Sequence, residues 1–397
     1  MGRLRVSAAQ VIGLGCRLNI AESERIGEML AGERDLVVVN SCSVTGEAVR
    51  HTRRAIRRAR RDNPSARLVV TGCAAETESA ALAAMSEVDG LVSNTAKLLP
   101  TSYRVEVPTR ATSVARIRTR AFVPIQNGCD HACTFCIIPQ GRGPSRSLPV
   151  AAVIEDIEAH LARGVAEIVL TGVDVTSWGA DLAGAPKLGN LIASILGAFP
   201  DLARLRLSSL DGAEIDPLLE DLIAGEARVM PHLHLSLQHG HDLILKRMKR
   251  RHSRIDAENL VASLRHRRPD IAIGADLIAG FPTEREEHHQ ANLSLIRELR
   301  IVHGHVFPFS PRHDTPAARM PQLDPATVAA RAAEMRAAVA TTRAEWLASL
   351  VGTPLRVLAE RDNRGYAENY ARVATPGIAP GIVATITPTA CEDDLLR

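Results

Sequence analysis

Aromatic side chains are scarce in this chain: six Phe, three Tyr and two Trp make up 3% of 397 residues. Its cores must therefore be mainly aliphatic and alanine-rich. No apolar run approaches the roughly 18 residues needed to span a bilayer, so no membrane association is expected. Arg3 and Arg5 precede a mildly apolar stretch ending at Cys16, but the stretch is short and interrupted by Gln10. No export signal is therefore expected there, and the expected location is cytoplasmic. Cysteine is sparse too, seven residues, scattered and odd in number, which argues against a disulfide scaffold and for reduced, metal-binding thiols. Nor is the charge lopsided: a formal +3 cannot by itself argue for a nucleic acid, so local clustering has to. What remains, 46% hydrophobic and 23% charged, is ordinary for a globular chain with room for two or three domains.

The most informative stretch is Asn127-Gly128-Cys129-Asp130-His131-Ala132-Cys133-Thr134-Phe135-Cys136-Ile137-Ile138-Pro139. Thiolates hold iron–sulfur clusters, and three of them on a four-iron cluster leave one iron open to a substrate. A structural zinc knot, with His131 or a distant residue as fourth ligand, suits the same spacing. Against it, no second CxxC pair follows.

The remaining thiols are also placed with a pattern. Cys42 follows the β-branched run Leu36 to Val39, Cys73 follows Leu68 to Thr71, and Cys16 stands in Gly15-Cys16-Arg17-Leu18-Asn19. Residues 1–100 alternate strand and helix patterns, an α/β layout. The cysteines are therefore expected on loops at the carboxyl ends of parallel strands, where α/β sheets bind ligands. Three could converge there on a second cluster. After Cys42, residues 50–61 hold seven arginines in twelve residues. They would surround a helix except for a strip near Ala55, Ile56 and Ala59, and they read either as a phosphate-binding face or as a solvated one.

Residues 101–118 read as a linker. Beyond it, strand-like runs recur at Phe122 to Gln126, Glu167 to Thr171, Arg204 to Ser208, His232 to Leu237, Ile271 to Leu277 and Val302 to Phe307. Helical stretches separate them, among them Ala151 to Ala162, Glu214 to Ala224, Ile255 to Arg267 and Glu284 to Leu299. Repeated βα units predict parallel strands with right-handed crossovers and a site at their carboxyl ends. A second basic run, Lys246 to Arg251, follows the fourth strand. The pattern ends with a long helix, Pro325 to Leu350, and three short strands: Leu355 to Glu360, Tyr366 to Val373 and Ile382 to Ile386. Cys391 falls in a polar tail, as a free thiol without function.

The cysteine loop resembles the CxxxCxxC signature of radical S-adenosylmethionine (SAM) enzymes. Phe122 to Cys129, Cys136-Ile137-Ile138-Pro139, Arg142-Gly143 and Ser145-Arg146-Ser147 narrow the resemblance to the methylthiotransferase family. The resemblance implies an N-terminal methylthiotransferase domain (1–100) with an auxiliary cluster on Cys16, Cys42 and Cys73. It further implies a radical SAM core (119–350) of (β/α)6 partial-barrel form and a shortened TRAM-like RNA-binding β-barrel (351–397). The first helix and the strand at Leu36 are joined more tightly than is usual in the family, so a trimmed N-terminal sheet is expected. Two 4Fe-4S clusters and SAM are the implied cofactors. Cys129, Cys133 and Cys136 would hold the second cluster, with Phe135, Gly172 and Gln238 contacting SAM.

Gln126 to His131 and Thr171-Gly172-Val173-Asp174 look most like the branch acting on threonylcarbamoyladenosine. The expected reaction is methylthiolation of carbon 2 of that base at tRNA position 37. Sibling branches act on isopentenyladenosine or on a ribosomal-protein aspartate. The expected partners are a tRNA anticodon stem-loop and an electron donor such as flavodoxin or ferredoxin, with the chain a monomer. A zinc-containing RNA-binding module is the non-enzymatic alternative. A two-cluster electron carrier would want four cysteines per cluster and no large barrel.

Overall fold

The computed structural model describes residues 9–104 and 119–397. The stretch carrying Arg3 and Arg5, and residues 105–118 of the expected linker, lie outside the described residues.

The N-terminal sheet is four parallel strands in sequential order: Gln10–Gly13, Leu36–Ser41, Arg67–Gly72 and Gly90–Leu91. Val37, Val39, Leu68 and Val70 pack under the helix Gly46–Asp62, and Leu36, Val38 and Val69 pack on the other face. A sheet covered on both faces explains the near-continuous apolar runs that mark its strands.

Six parallel strand positions follow: Arg120–Pro124, Glu167–Thr171, Leu205–Leu207 continuing as Ser209–Leu210, His232–Gln238, Ala272–Ala279 and Ile301–Pro308. With the helices packed outside, this is the expected (β/α)6 partial barrel. Alternation along His232–Gln238 sorts its faces: Leu233, Leu235 and Leu237 join the large apolar core under the helices, so His232, His234, Ser236 and Gln238 take the inner face. Arg204, Arg206 and Glu167 behave likewise. The lumen is polar where a closed barrel would be filled by branched aliphatics.

A six-stranded sheet of short strands ends the chain. The single run expected over Tyr366 to Val373 is broken into Arg364–Ala367 and Arg372–Ala374, because Tyr370 turns the chain at φ 73°. Its ring packs 4.9 Å from that of His232 and 4.7 Å from the Arg206 guanidinium, so the lumen's amino end is closed by a residue in a conformation bulky side chains avoid. The tail is not featureless either. Cys391–Glu392 and Leu395–Leu396 pair as strands, with Cys391 exposed and free.

Glu167 holds this closure together. Its carboxylate accepts from Arg204 Nε at 2.8 Å and Arg206 Nε at 2.9 Å. The same guanidinium groups donate to the carbonyls of Arg356, Tyr366, Ala367 and Glu368 in the terminal sheet. Burial opposes ionisation of Glu167, but Arg206, Arg204 and Arg120 outweigh it and hold the carboxyl down at about 2. Glu167→Gln should therefore cost about 3–5 kcal/mol by denaturant titration at neutral pH, since two buried cations lose their partner. The folded value lies below the unfolded value near 4.5, so the stabilisation is complete above about pH 4.5. It is lost as pH falls toward 2, and the difference between variant and wild type should shrink over that window.

Candidate active site

The cysteine loop leaves the carboxyl end of the first barrel strand. Gly128 makes the exit possible: at φ 79°, a Cβ there would stand 1.9 Å from the Pro144 carbonyl oxygen, which excludes every other residue. The loop is held at both ends, by Cys129 N–H donating to the Gly143 carbonyl and Thr134 N–H to that of Met248. Three donors aim at its sulfurs: His131 N–H at 3.4 Å from Cys129, Ile138 N–H at 3.4 Å from Cys136 and Arg250 Nη1 at 3.6 Å from Cys133. Such donors favour thiolates. Burial nonetheless pushes the Cys129 thiol up to about 12 and that of Cys136 to about 11, so a metal would have to displace protons to bind. His131 is turned to Asp174, 2.7 Å from its carboxylate. That hydrogen bond, with the Glu214 carboxylate 3.8 Å away, raises its pKa to about 10.

The second trio lies at the carboxyl edge of the N-terminal sheet. Cys16 caps the helix Arg17–Met29, Cys42 follows Leu36–Ser41, and Cys73 opens the short helix Cys73–Thr77 directly after Arg67–Gly72. The three thiols are near enough for their charged forms to repel one another. A Cβ on Gly15 would meet Cys42 Sγ at 2.8 Å.

Arg142, fully buried, ties the two trios together. It donates Nε to Cys73 Sγ at 3.2 Å, both Nη atoms to Glu22 at 2.9 and 3.0 Å, Nη2 to Asn19 at 2.5 Å and Nη1 to Asn127 at 2.8 Å. Lys97, also buried, reaches Glu22 at 2.6 Å. Two cations against one carboxylate leave excess positive charge beside three thiols. A sulfide cluster on thiolates is anionic, so both donor set and field fit one here.

A cavity of about 280 Å³ opens between the barrel mouth and the N-terminal domain. Cys129, Cys133, Cys136, Phe135 and Gln238 line it, as do Val44 and Thr45, two and three residues beyond Cys42. Gly172 is not brought to it: it packs on Gln126, whose carbonyl oxygen a Cβ would meet at 2.8 Å, and Val173 and Asp174 form the wall instead. Ser209, Ser236 and Asp276 form polar wall opposite the cysteines. Asp276 accepts from the imidazoles of His234 and His305, each at 3.1 Å. Sequence reading missed this triad and the Glu22–Arg142–Lys97 network. The alternation of His232 and His234 with leucines was the available signal for the first.

The open barrel, with three cysteines on the loop after its first strand, defines a radical SAM enzyme, and residues 123–296 match the radical SAM superfamily. Residues 8–93 match uncharacterized protein family UPF0004. Among solved structures the fold is similar to that of the radical S-adenosylmethionine methyltransferase TsrM from Kitasatospora setae, with a TM-score of 0.53 and 20% identity over 76% of this chain and 68% of that one. The threonylcarbamoyladenosine tRNA methylthiotransferase MtaB of Rickettsia prowazekii is 41% identical over 92% of this chain and 90% of its own. Its Aquifex aeolicus namesake is 33% identical over 92% and 95%. The tRNA-2-methylthio-N(6)-dimethylallyladenosine synthase of Roseobacter denitrificans is 30% identical over 88% and 87%. The chain belongs to the radical SAM tRNA methylthiotransferase family, whose cofactors are SAM and 4Fe-4S clusters.

Arg142→Ala should destabilise the protein without bound metal by about 1–3 kcal/mol, measured by chemical denaturation, because Asn19 Oδ1 and one oxygen of Glu22 are left buried without a donor while Lys97 still balances the Glu22 charge.

Proposed function

We propose that this enzyme methylthiolates carbon 2 of threonylcarbamoyladenosine at position 37 of tRNA, using two 4Fe-4S clusters and SAM. The observation that carries the reading is a cavity lined by one cysteine trio, with Val44 and Thr45 of its wall following Cys42 of a second trio in the N-terminal domain. Cys129, Cys133 and Cys136 would hold one cluster and Cys16, Cys42 and Cys73 the other. When bound, a cluster with one open iron supplies one-electron reduction of a sulfonium, the source of a radical able to take hydrogen from an unactivated C–H.

The chain's own residues bind and orient. Gln238 and Phe135 line the cavity next to the loop cysteines and would contact SAM, with Val173 and Asp174 in the place first expected of Gly172. The relatives support the base: the 41% identical one is named for threonylcarbamoyladenosine. The lining supports it too. Ser209, Ser236, Gln238 and Asp276 offer hydrogen bonds that a polar N6 substituent can use and an isopentenyl group would leave unmade. Domain limits of 1–100, 119–350 and 351–397, a flavodoxin- or ferredoxin-like donor and a monomeric state complete the reading.

Two measurements test it. Nucleoside mass spectrometry of tRNA from cells lacking the gene should show loss of the methylthio form of threonylcarbamoyladenosine; loss of the isopentenyl form instead would assign the sibling substrate. After anaerobic reconstitution the protein should hold about eight irons and as many sulfides. Replacing Cys16, Cys42 and Cys73 by Ala should halve both, whereas zinc without sulfide would support a binding module.

A further inference from the structure

The arginine-rich segment noted in the sequence forms the helix Gly46–Asp62, and it begins at the cavity. Val44 and Thr45 line that cavity, and Gly46 N–H donates to the hydroxyl of Ser310, another lining residue, at 3.2 Å. At about 100° per residue, Arg50, Arg54, Arg57, Arg58 and Arg61 share an arc of roughly 100°. Val49, Thr52, Ile56 and Ala59 are buried on the opposite face. The exposed arc runs about 16 Å from Arg50 to Arg61. Three of its five arginines are not consumed by ion pairs among the described residues. Arg53, Arg57 and Arg60 lean on Glu78, Glu87 and Asp89, and Arg58 pairs only with the exposed Asp62. Arg50, Arg54 and Arg61 have no acidic partner among the described residues. Beside the arc a cleft of about 710 Å³ lies between this helix and the edge strand Gln10–Gly13, with Arg54, Arg57, Arg58 and Arg61 along one wall and Gln10 and Ile12 on the other.

We infer that this helix face and cleft are a docking track for the RNA strand that flanks the modified base, gripping consecutive phosphates while the base enters the cavity. The inference rests on the reading of the enzyme as acting on tRNA, and deepens it by assigning the surface. A chain with net charge of only +3 attracts polyanions through such a local stripe. The helix amino terminus, aimed at the cavity rim, adds partial positive charge where the strand would turn inward. The track carries no base contacts, so it positions the RNA and leaves identity to the cavity.

The test is binding of a tRNA anticodon stem-loop to the full-length protein, by fluorescence anisotropy across a salt series. Replacing Arg54, Arg58 and Arg61 together by Ala should weaken binding at least tenfold near 0.1 M salt. It should also make the negative slope of log K against log salt shallower by about 2 to 3. Replacing the same three by Lys should keep most of both, since charge rather than shape is read. The side chains are exposed, so a matching thermal midpoint serves as the folding control. Wild-type affinity and slope in the Ala variant, or failure of Lys to restore them, would overturn the track. The two readings fail separately. Should wild type modify an isopentenylated stem-loop while the Ala variant loses binding, the track stands and the substrate falls. The reverse pair of results leaves the substrate standing alone.

Discussion

The site depends on one buried guanidinium. Arg142 sits on the segment that returns from the cysteine loop, yet its donors end on Cys73, Glu22 and Asn19 of the N-terminal domain and on Asn127 of the loop's own entry. A planar fork with five donors can satisfy four partners in fixed geometry, which a lysine cannot. Buried ion pairs contribute little net stability once desolvation is counted. What this one supplies is register: it ties Asn127, at the entry of the cysteine loop, to Cys73 and to the helix that follows Cys16. Lys97 adds a second cation to the same carboxylate, so the domain junction is positively charged where anionic clusters would bind.

The opposite end of the barrel is organised by the same device. Glu167 gathers Arg204 and Arg206, and they spend their remaining donors on carbonyls of the terminal sheet. Here the scarcity of aromatics becomes informative. Of three tyrosines in the chain, Tyr366 and Tyr370 stack on each other at this junction, with Arg120 and Arg206 against their faces. Their rings cover charged groups without demanding that those groups be desolvated unpaired. An open barrel with a polar lumen needs such a plug at its amino end, because no aliphatic layers fill it.

Much of this was legible along the chain because it is local. Strand-like composition gave His232 to Leu237, one residue short of the strand observed, β-branched runs gave the strands before Cys42 and Cys73, and the spacing of Cys129, Cys133 and Cys136 placed the loop. Chain ends of strands shifted by a residue or two, and Cys73 opens a helix where a loop was expected. The missed features are those made by distance or by a single backbone angle. Arg142 and Glu22 are 120 residues apart, and no periodicity reports such a pair. Tyr366 to Val373 has the composition of one strand, and only the left-handed turn at Tyr370 divides it. Gly172 followed the logic of close approach, but the backbone it approaches is Gln126.

Charge in this chain therefore has to be read by location. Buried arginines at 142, 204 and 206 are matched to carboxylates and fix the domains. Exposed ones at 50, 54 and 61 are matched to nothing among the described residues. Of the buried set only Arg142 stands near the exposed one: it reaches Cys73, and the helix that carries Arg50, Arg54 and Arg61 begins four residues after Cys42. Among the thiols burial raises Cys42, Cys129 and Cys136 alike, with Arg142 acting against it at Cys42 and Arg250 at Cys136, while Asp174 adds to it at Cys129. A sulfide cluster on Cys16, Cys42 and Cys73 would bring the negative charge that Arg142 and Lys97, two cations facing the single carboxylate of Glu22, are placed to meet.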